Sequence, residues 1–580
     1  MQPLQNVGSR ARNHWAILHA AESQLLGRVA RETPDVPSFR RVSILRVIRD
    51  DLLVAVHSAL ATIGVADVPD AVVIERPARP EHGDWSTNAA LVCSKALGKN
   101  PREIGQALAD ELIANPPKHV EAVEIAGPGF VNFRLANTWL YDVLGEVIAD
   151  GVDGYVTPDL GKGLRVNVEF VSANPTGPLH AGHGRWAAYG DSLCRLFARC
   201  GYKPHAETYV NDRGVQIQHY GDSLAARKQG EKPAEDGYQG AYITEWAAEM
   251  PDDVDPAVWG IEHALEDQRQ ALAAMHVVFD TWSSEKASVE AGHMESALDR
   301  LKAAGHVYVE EGATWLRTTD FGDDKDRVLI KSDGDMTYLL PDIGYHESKF
   351  ERGDLIIDIL GADHHGYVPR MRAALQLLGH SADAYEAIIG QNVKLMRDGE
   401  EVKLSKRTGT MIEIRELIDD VGPDVARFAY LMQSIDTSMV LDIDLLAEQS
   451  SDNPVFYVQY AHARIHSIGR MATERGITRA PLADADLALL QHERELQLLR
   501  ELFSLNDVLV SAMTERAPHK ISQWVRELAS AFQGFYHDCP VLRDDVDPAL
   551  QQARLWLVEA TRVGLSIGLD LLGVDAPEQM

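Results

Sequence analysis

The 580-residue chain has only four cysteines, Cys93, Cys194, Cys200 and Cys539. Their scattered placement argues against a disulfide framework or paired zinc spacing and fits a reducing cytoplasm. It also has no run of eighteen apolar residues, although 45% of its residues are hydrophobic, so no membrane-spanning helix is expected. Positive charge is scarce as well: 56 basic against 87 acidic side chains give a net charge of −31. That balance argues against nucleic-acid binding over the whole surface, because such binding is driven by phosphate neutralisation. Any RNA contact would have to rest on local basic patches. Arg427, Arg464, Arg470, Arg475, Arg479, Lys520 and Arg526 are candidates, each of them otherwise an ordinary solvated side chain. Residues 1–46 reverse the balance, with seven arginines against three acids, and read as a disordered extension. The remainder is too long for one hydrophobic core and should fold as several domains.

Against this background stands His180-Ala181-Gly182-His183. It follows a run rich in β-branched residues, Arg165 to Val171, and a breaker segment, Asn174-Pro175-Thr176-Gly177-Pro178. Trp186, Tyr189, Leu193, Leu196 and Phe197 then recur at helical spacing, so the spacing predicts a helix with both histidines at its mouth. A helix N-terminus favours phosphate, and Gly182 lets a nucleotide approach the backbone. About 220 residues later comes Lys403-Leu404-Ser405-Lys406-Arg407. It is preceded by a strand-like stretch, Ile388 to Met396, and a hairpin-like Arg397-Asp398-Gly399-Glu400. Positioned imidazole donors and a mobile ammonium are what attack of a carboxylate on the α-phosphate of ATP needs. Together and in this order, the two motifs resemble the ATP site of class I aminoacyl-tRNA synthetases. The resemblance implies catalytic roles for His180, His183, Lys403 and Lys406, with Gly182 and Ser405 also touching ATP. Gly361-Ala362-Asp363-His364-His365-Gly366 follows the buried-type run Leu355 to Leu360, at the strand end where doubly wound sheets bind ligands. The same resemblance implies an ATP-ribose contact for Asp363. Magnesium is expected to arrive with the ATP phosphates, and no protein metal site is expected.

Three longer segments narrow the resemblance. Glu169 to His180, Asp326 to His346 (DRVLIKSDGDMTYLLPDIGYH) and Asn453 to Ile468 (NPVFYVQYAHARIHSI), with the ending Gly568 to Met580, are similar to arginyl-tRNA synthetases. The similarity runs from about Ile48 to Met580. It implies arginine plus ATP giving arginyl-adenylate, transfer of the arginyl group to the 3′ end of tRNA-Arg, and activation only with tRNA bound. It further implies an arginine pocket of Glu169, Asn174, Tyr338 and Asp342. His364 stands where several family members carry glutamine and joins that set. A guanidinium wants carboxylates placed for forked hydrogen bonds. Glu169 lies between Val168 and Phe170 in a run that reads as a buried strand, where an unpaired carboxylate is costly. Many family members place a lysine shortly before the first motif histidine. None lies between Glu169 and His180 here, so Lys406 should supply that charge, and Gly177 is the position where a compensating lysine could be grafted.

The fold expected is multidomain α/β: a nucleotide-binding, Rossmann-like catalytic domain of the HUP type, an α+β amino-terminal domain and an α-helical anticodon-binding bundle. Breaks in the pattern place the amino-terminal domain at residues 47–137, which the resemblance implies contacts the tRNA elbow. The catalytic domain follows at 160–444, with an insertion at about 212–325, and the bundle at 445–580. In the first of these, Asn100 should cap a helix whose buried stripe is Ile104, Leu108 and Leu112. In the last, Tyr457, Tyr460, His462 and Arg464 are the candidates for tRNA contact. A cytoplasmic monomer is expected. A small-molecule nucleotidyltransferase would lack the helical tail and the Glu169, Tyr338, Asp342 set; a non-catalytic RNA-binding relative would show damaged ATP motifs. Within the class, a cysteinyl enzyme should show zinc ligands and a glutamyl enzyme basic substrate contacts.

Overall fold

The computed structural model describes residues 44–580 except 66, 78, 403–410 and 449–452. The lysine motif and nearly all of the expected extension therefore lie outside the described residues. The chain forms two compact units, divided between Glu146 and Val147.

In the first unit, strands β1 (Ile74–Glu75), β2 (Trp85–Thr87), β3 (Val120–Ala126) and β4 (Phe130–Leu135) form an antiparallel sheet in the order β1-β2-β4-β3. The helix Pro101–Ala114 starts where Asn100 Oδ1 accepts from Arg102 N at 2.9 Å. Pro101 takes the first position, where a missing N–H costs nothing, and Ile104, Leu108 and Leu112 are buried.

The second unit is built on a parallel sheet. Strands β5 (Arg165–Glu169), β6 (Lys203–Val210) and β7 (Thr281–Ser284) are joined by β11 (Leu355–Gly361) and β12 (Tyr385–Gly390), in the order β12-β11-β5-β6-β7. β5 is central, and Val166, Val168 and Phe170 are fully buried, the near-continuous apolar reading of a strand covered on both faces. Between β7 and β11, β8 (Val307–Glu310), β9 (Ala313–Leu316) and β10 (Arg327–Ile330) form a small antiparallel sheet. The stretch expected as one strand over 388–396 is two. β12 ends at Gly390 and β13 (Val393–Arg397) leaves for another sheet, pairing antiparallel with β14 (Glu400–Val402) and parallel with β15 (Met439–Asp442). The break falls where the Trp186 ring occupies the space a side chain at Gly390 would need; a Cβ there would lie 1.9 Å from it. The expected hairpin forms at Asp398 and Gly399, both at positive φ, as a two-residue turn between twisted strands requires.

The aromatic-rich insertion folds as helices Val215–Lys228, Ala241–Glu249 and Pro256–Ala274 around a core that includes Tyr220, Tyr238, Tyr242 and Trp246. Helices Pro454–Glu474, Glu493–Thr514, His519–Asp538 and Pro548–Leu572 form the carboxyl-terminal bundle. Their stripes (Leu496, Leu498, Leu499 and Leu502; Trp524, Leu528, Phe532 and Phe535) are buried, whereas Leu489 and Tyr536 lie toward the surface. No helix among the described residues is long and apolar enough to cross a membrane.

Candidate active site

Beyond the carboxyl end of β5 the backbone turns through two consecutive left-handed residues that are not glycine, Val171 (φ 70°) and Ser172 (φ 39°). Each costs on the order of 1–3 kcal/mol, and such strain gathers at ligand sites. Ser172 offsets part of it by donating to Glu169 Oε1 at 2.7 Å and accepting from Tyr209 N at 3.1 Å. The breaker segment follows, held from behind by the insertion. Gln268, buried in the helix Pro256–Ala274, donates to Asn174 O at 3.2 Å and Gly177 O at 2.9 Å. The Tyr242 hydroxyl donates to Thr176 O at 2.9 Å. Gly177 has φ 146°, and a Cβ there would meet the Tyr242 ring at 2.7 Å. The expectation that a lysine could be grafted at this position is thus overturned.

The helix Gly182–Arg199 begins inside the first motif, with Ala181 at its cap position. Both histidines sit at its mouth, their rings stacked at 3.7 Å between centroids. The strand-like approach pairs with the chain beyond the lysine motif: Ala181 N donates to Ile412 O at 2.8 Å and Ile414 N to Leu179 O at 2.9 Å. Asp363 and His364 stand exposed on the short turn Ala362–His364, at the carboxyl end of β11. Because β11 pairs with β5 in parallel, this turn and the histidine motif share one edge of the sheet. Lys403, Ser405 and Lys406 lie outside the described residues.

The expected arginine residues separate. Tyr338 caps the helix Leu339–Lys349 and is 91% exposed, while Asp342, one turn on, is half-buried. Pro341 is tolerated because it falls in the first turn. Burial pushes the Asp342 carboxyl up to about 6; His346 and a hydrogen bond from Tyr367 oppose this, and the charges of Glu169 and Glu285 add to it. Glu285, at the start of the helix Glu285–Glu290 after β7, is likewise raised by burial and bonded to Tyr209. Sequence reasoning missed Glu285, since only the fold brings β7 into this sheet. Asn174 donates through Nδ2 to Gln216 Oε1 at 2.9 Å.

Glu169 is differently placed. Its carboxylate takes hydrogen bonds from Ser172 and from the Tyr345 hydroxyl (2.9 Å) and an ion pair from Lys349. Lys349 is fully buried and also binds Asp358 at 2.6 Å. Burial works against its charge, but Asp358, then Glu169 and Glu207, hold the ammonium protonated. Asp358 in turn receives His346 Nε2 at 2.8 Å and, despite burial, is held well below the usual carboxylate range by Lys349 and His346. Glu207 accepts a fork from Arg352, 2.9 Å to each oxygen, and Ser283 Oγ at 2.6 Å. Against the cost of burial, the Arg352 hydrogen bonds and the Lys349 charge lower it to about 2. Glu169 is thus paired with Lys349, whereas among the described residues Asp342 forms no ion pair and Glu285 only a distant one, to Arg213 at 3.8 Å.

In the bundle, Tyr460 is 47% exposed, and the Arg464 guanidinium lies 4.4 Å and 4.7 Å from the centroids of the Tyr460 and Tyr536 rings. Tyr457 is half-buried. His462 is not placed to meet RNA: it is buried, with Nδ1 on Pro577 O (2.9 Å) and Nε2 on Ser566 Oγ (3.1 Å), tying down the chain's end. Arg427, considered as a basic patch residue, is also fully buried and donates to Leu572 O, Met275 O and Asp191. Arg470, Arg475, Arg479 and Lys520 contact Glu578 O, Leu542 O, Glu559 and Glu515 respectively. Arg526 is exposed.

A parallel nucleotide-type sheet with a histidine motif at a helix mouth on its carboxyl edge, continued by a helical bundle, defines a class I aminoacyl-tRNA synthetase. Family comparisons give the same architecture in three parts: the arginyl tRNA synthetase N terminal domain over residues 50–135, the class I (R) catalytic domain over 252–450, and the DALR anticodon binding domain over 458–580. The chain is 45% identical to the arginine–tRNA ligase of Frankia alni across 92% of its length and 99% of that protein's, and 41% identical to that of Bacillus subtilis across 93% and 100%. In fold it is similar to the Thermus thermophilus arginyl-tRNA synthetase, with TM-score 0.68 and 24% identity over 92% of this chain and all of that one. The chain belongs to the arginyl-tRNA synthetase family.

Proposed function

We propose that the cleft along the carboxyl edge of the central sheet activates arginine at one end with ATP bound at the other. The protein is an arginine–tRNA ligase: ATP-dependent activation gives arginyl-adenylate, and the arginyl group then passes to the 3′ end of tRNA-Arg. The observation that carries the assignment of the pocket is the pair of half-buried carboxylates, Asp342 and Glu285, neither with a close ion pair among the described residues and both raised by burial. A buried acid in that condition is relieved by a cation, and a guanidinium brings one with a fork of donors. We assign Tyr338 to the same guanidinium pocket, and Asn174 to the α-amino and carboxylate end of arginine.

At the other end the N–H groups of the first helical turn, with His180, His183 and Gly182, cradle ATP, while Asp363 borders the nucleoside side and His364 is assigned to the arginine end. Lys403, Ser405 and Lys406 complete the phosphate contacts, and magnesium enters on the ATP phosphates. An arginine carboxylate oxygen bonds to the α-phosphorus as the bond to pyrophosphate breaks, and donors fixed before the reaction stabilise the shifting charge. A ribose hydroxyl of the tRNA then attacks the adenylate carbonyl and AMP leaves. We assign tRNA contact to the bundle around Tyr457, Tyr460 and Arg464, and place the enzyme in the cytoplasm as a monomer. Charging of tRNA with each of the twenty amino acids is the test. Arginine alone should be esterified, and arginine-dependent pyrophosphate exchange should need tRNA; charging with another amino acid in preference would refute the pocket.

A further inference from the structure

Two residues past His183 the helix carries Arg185, which is fully buried. Its guanidinium forms no ion pair among the described residues. Instead Nη1 donates to Gln391 O at 2.7 Å and Nη2 to Ser434 O at 2.8 Å, while Nε is buried without a partner. Burial lowers its pKa, with Asp436 the first of the charges acting in the opposite direction. A buried cation satisfied only by neutral carbonyls is a poor way to stabilise a fold, since an apolar side chain of similar volume would avoid the desolvation.

What the two carbonyls have in common is their position. Gln391 joins β12 to β13, whose hairpin ends at Val402, immediately before Lys403; Ser434 leads into β15, the parallel partner of β13, and Gln391 N donates to Ile435 O at 2.9 Å. Trp186, the next residue, fills the space beside Gly390. Beyond the lysine motif the chain returns to the same helix mouth through the Ala181–Ile412 and Ile414–Leu179 bonds, and the Tyr430 hydroxyl holds Ala181 O at 2.6 Å. The chain on either side of the lysine motif is thus fastened to the residues around His180 and His183.

We infer that Arg185 is a positioning residue that sets the distance between the histidine motif and the strand feeding the lysine motif. The inference rests on the proposed activity. The two halves of the ATP site come from distant parts of the chain, and a misplacement of about 1 Å can cost on the order of a hundredfold in rate. Because the effect is on alignment in the transition state, it should appear in kcat and not in substrate affinity.

Arg185→Met and Arg185→Lys would be compared with the parent in tRNA-dependent pyrophosphate exchange. Arg185→Met should lose kcat by about tenfold or more with the KM for arginine and ATP within about twofold. Arg185→Lys, able to serve one carbonyl, should recover part of it. Should Arg185→Met fail to fold, Arg185→Lys carries the test through the same split between kcat and KM. Parental kcat in a folded variant, or a loss confined to KM, would overturn the inference. A parent enzyme that does not charge arginine would instead overturn the function on which it rests.

Discussion

Two groups of carboxylates lie close together at the central sheet, and they differ in whether the protein supplies their counter-charge. Glu169, Glu207 and Asp358 are met by Lys349 and Arg352, and Glu207 and Asp358 are held below the usual carboxylate range against the cost of their burial. Asp342 forms no ion pair among the described residues and Glu285 has only a distant one, to Arg213 at 3.8 Å; burial raises both. The first group is neutralised by folding; the second, in the proposed function, is neutralised by the substrate. On the proposed function, the carboxylates left without a close cation are the ones that select a cationic substrate, and the others hold the sheet edge in shape.

The largest effect should come from breaking the first group. Lys349→Met leaves Glu169 and Asp358 buried without their ammonium, and removing one partner of such a cluster costs about 3–5 kcal/mol. Denaturant unfolding should report that loss; a cost below about 1 kcal/mol would mean that the two groups do not differ in this way. Asp342→Asn attacks the other group and should invert the pattern. Arginine recognition should weaken by about 2–5 kcal/mol, with ATP affinity close to the parent and the melting temperature no lower than the parent's, since the ionised carboxyl itself opposes folding at neutral pH. An unchanged arginine KM would remove Asp342 from the pocket.

The same contrast sets a pH dependence. In the proposed pocket arginine pairs with the ionised form of Asp342, whose carboxyl burial pushes up to about 6, so kcat/KM for arginine should fall about tenfold per pH unit below that value and level off above it. The sign for stability is opposite. A carboxyl raised on folding binds its proton more tightly in the folded state, so this group opposes folding above its folded pKa and ceases to do so as pH falls. Glu207 and Asp358, lowered on folding, contribute stability that disappears only in stronger acid. In Asp342→Asn the break in kcat/KM near 6 should vanish; its persistence would assign the titration to another group.

Local pattern made much of this molecule legible. The apolar run of β5, the breaker, the helical spacing after His183 and the Asp-Gly hairpin are short-range signals, and each formed. What escaped depends on distant chain segments meeting. Glu285 comes close to Asp342 because β7 joins the sheet beside β6, and Gln268 reaches Asn174 and Gly177 because the insertion folds behind the breaker. Lys349 had a signal that could have been read: Asp358 sits inside the buried-type run Leu355 to Leu360, and such an acid needs a cation. His462 and Arg427 failed as RNA candidates for the converse reason, since nothing local tells a histidine or arginine buried under the chain's end from one on the surface.

The smallest effect sharpens the comparison from within the first group. The Tyr345 hydroxyl lies 2.9 Å from Glu169 Oε2 and 3.0 Å from Glu207 Oε1. It has one proton, so it donates to one of them at a time. Tyr345→Phe removes that donor but leaves Lys349 on Glu169 and Arg352 on Glu207, so no carboxylate loses its counter-charge. The cost should be about 1.5–3 kcal/mol, that of a hydrogen bond to a charged acceptor, below that of Lys349→Met. Arginine KM should stay within about twofold, because Asp342 and Glu285 keep their surroundings. A Tyr345→Phe enzyme with parental stability but a strongly raised arginine KM would show that the hydroxyl serves the substrate, and the line between the two groups of carboxylates would have to be redrawn through Glu169.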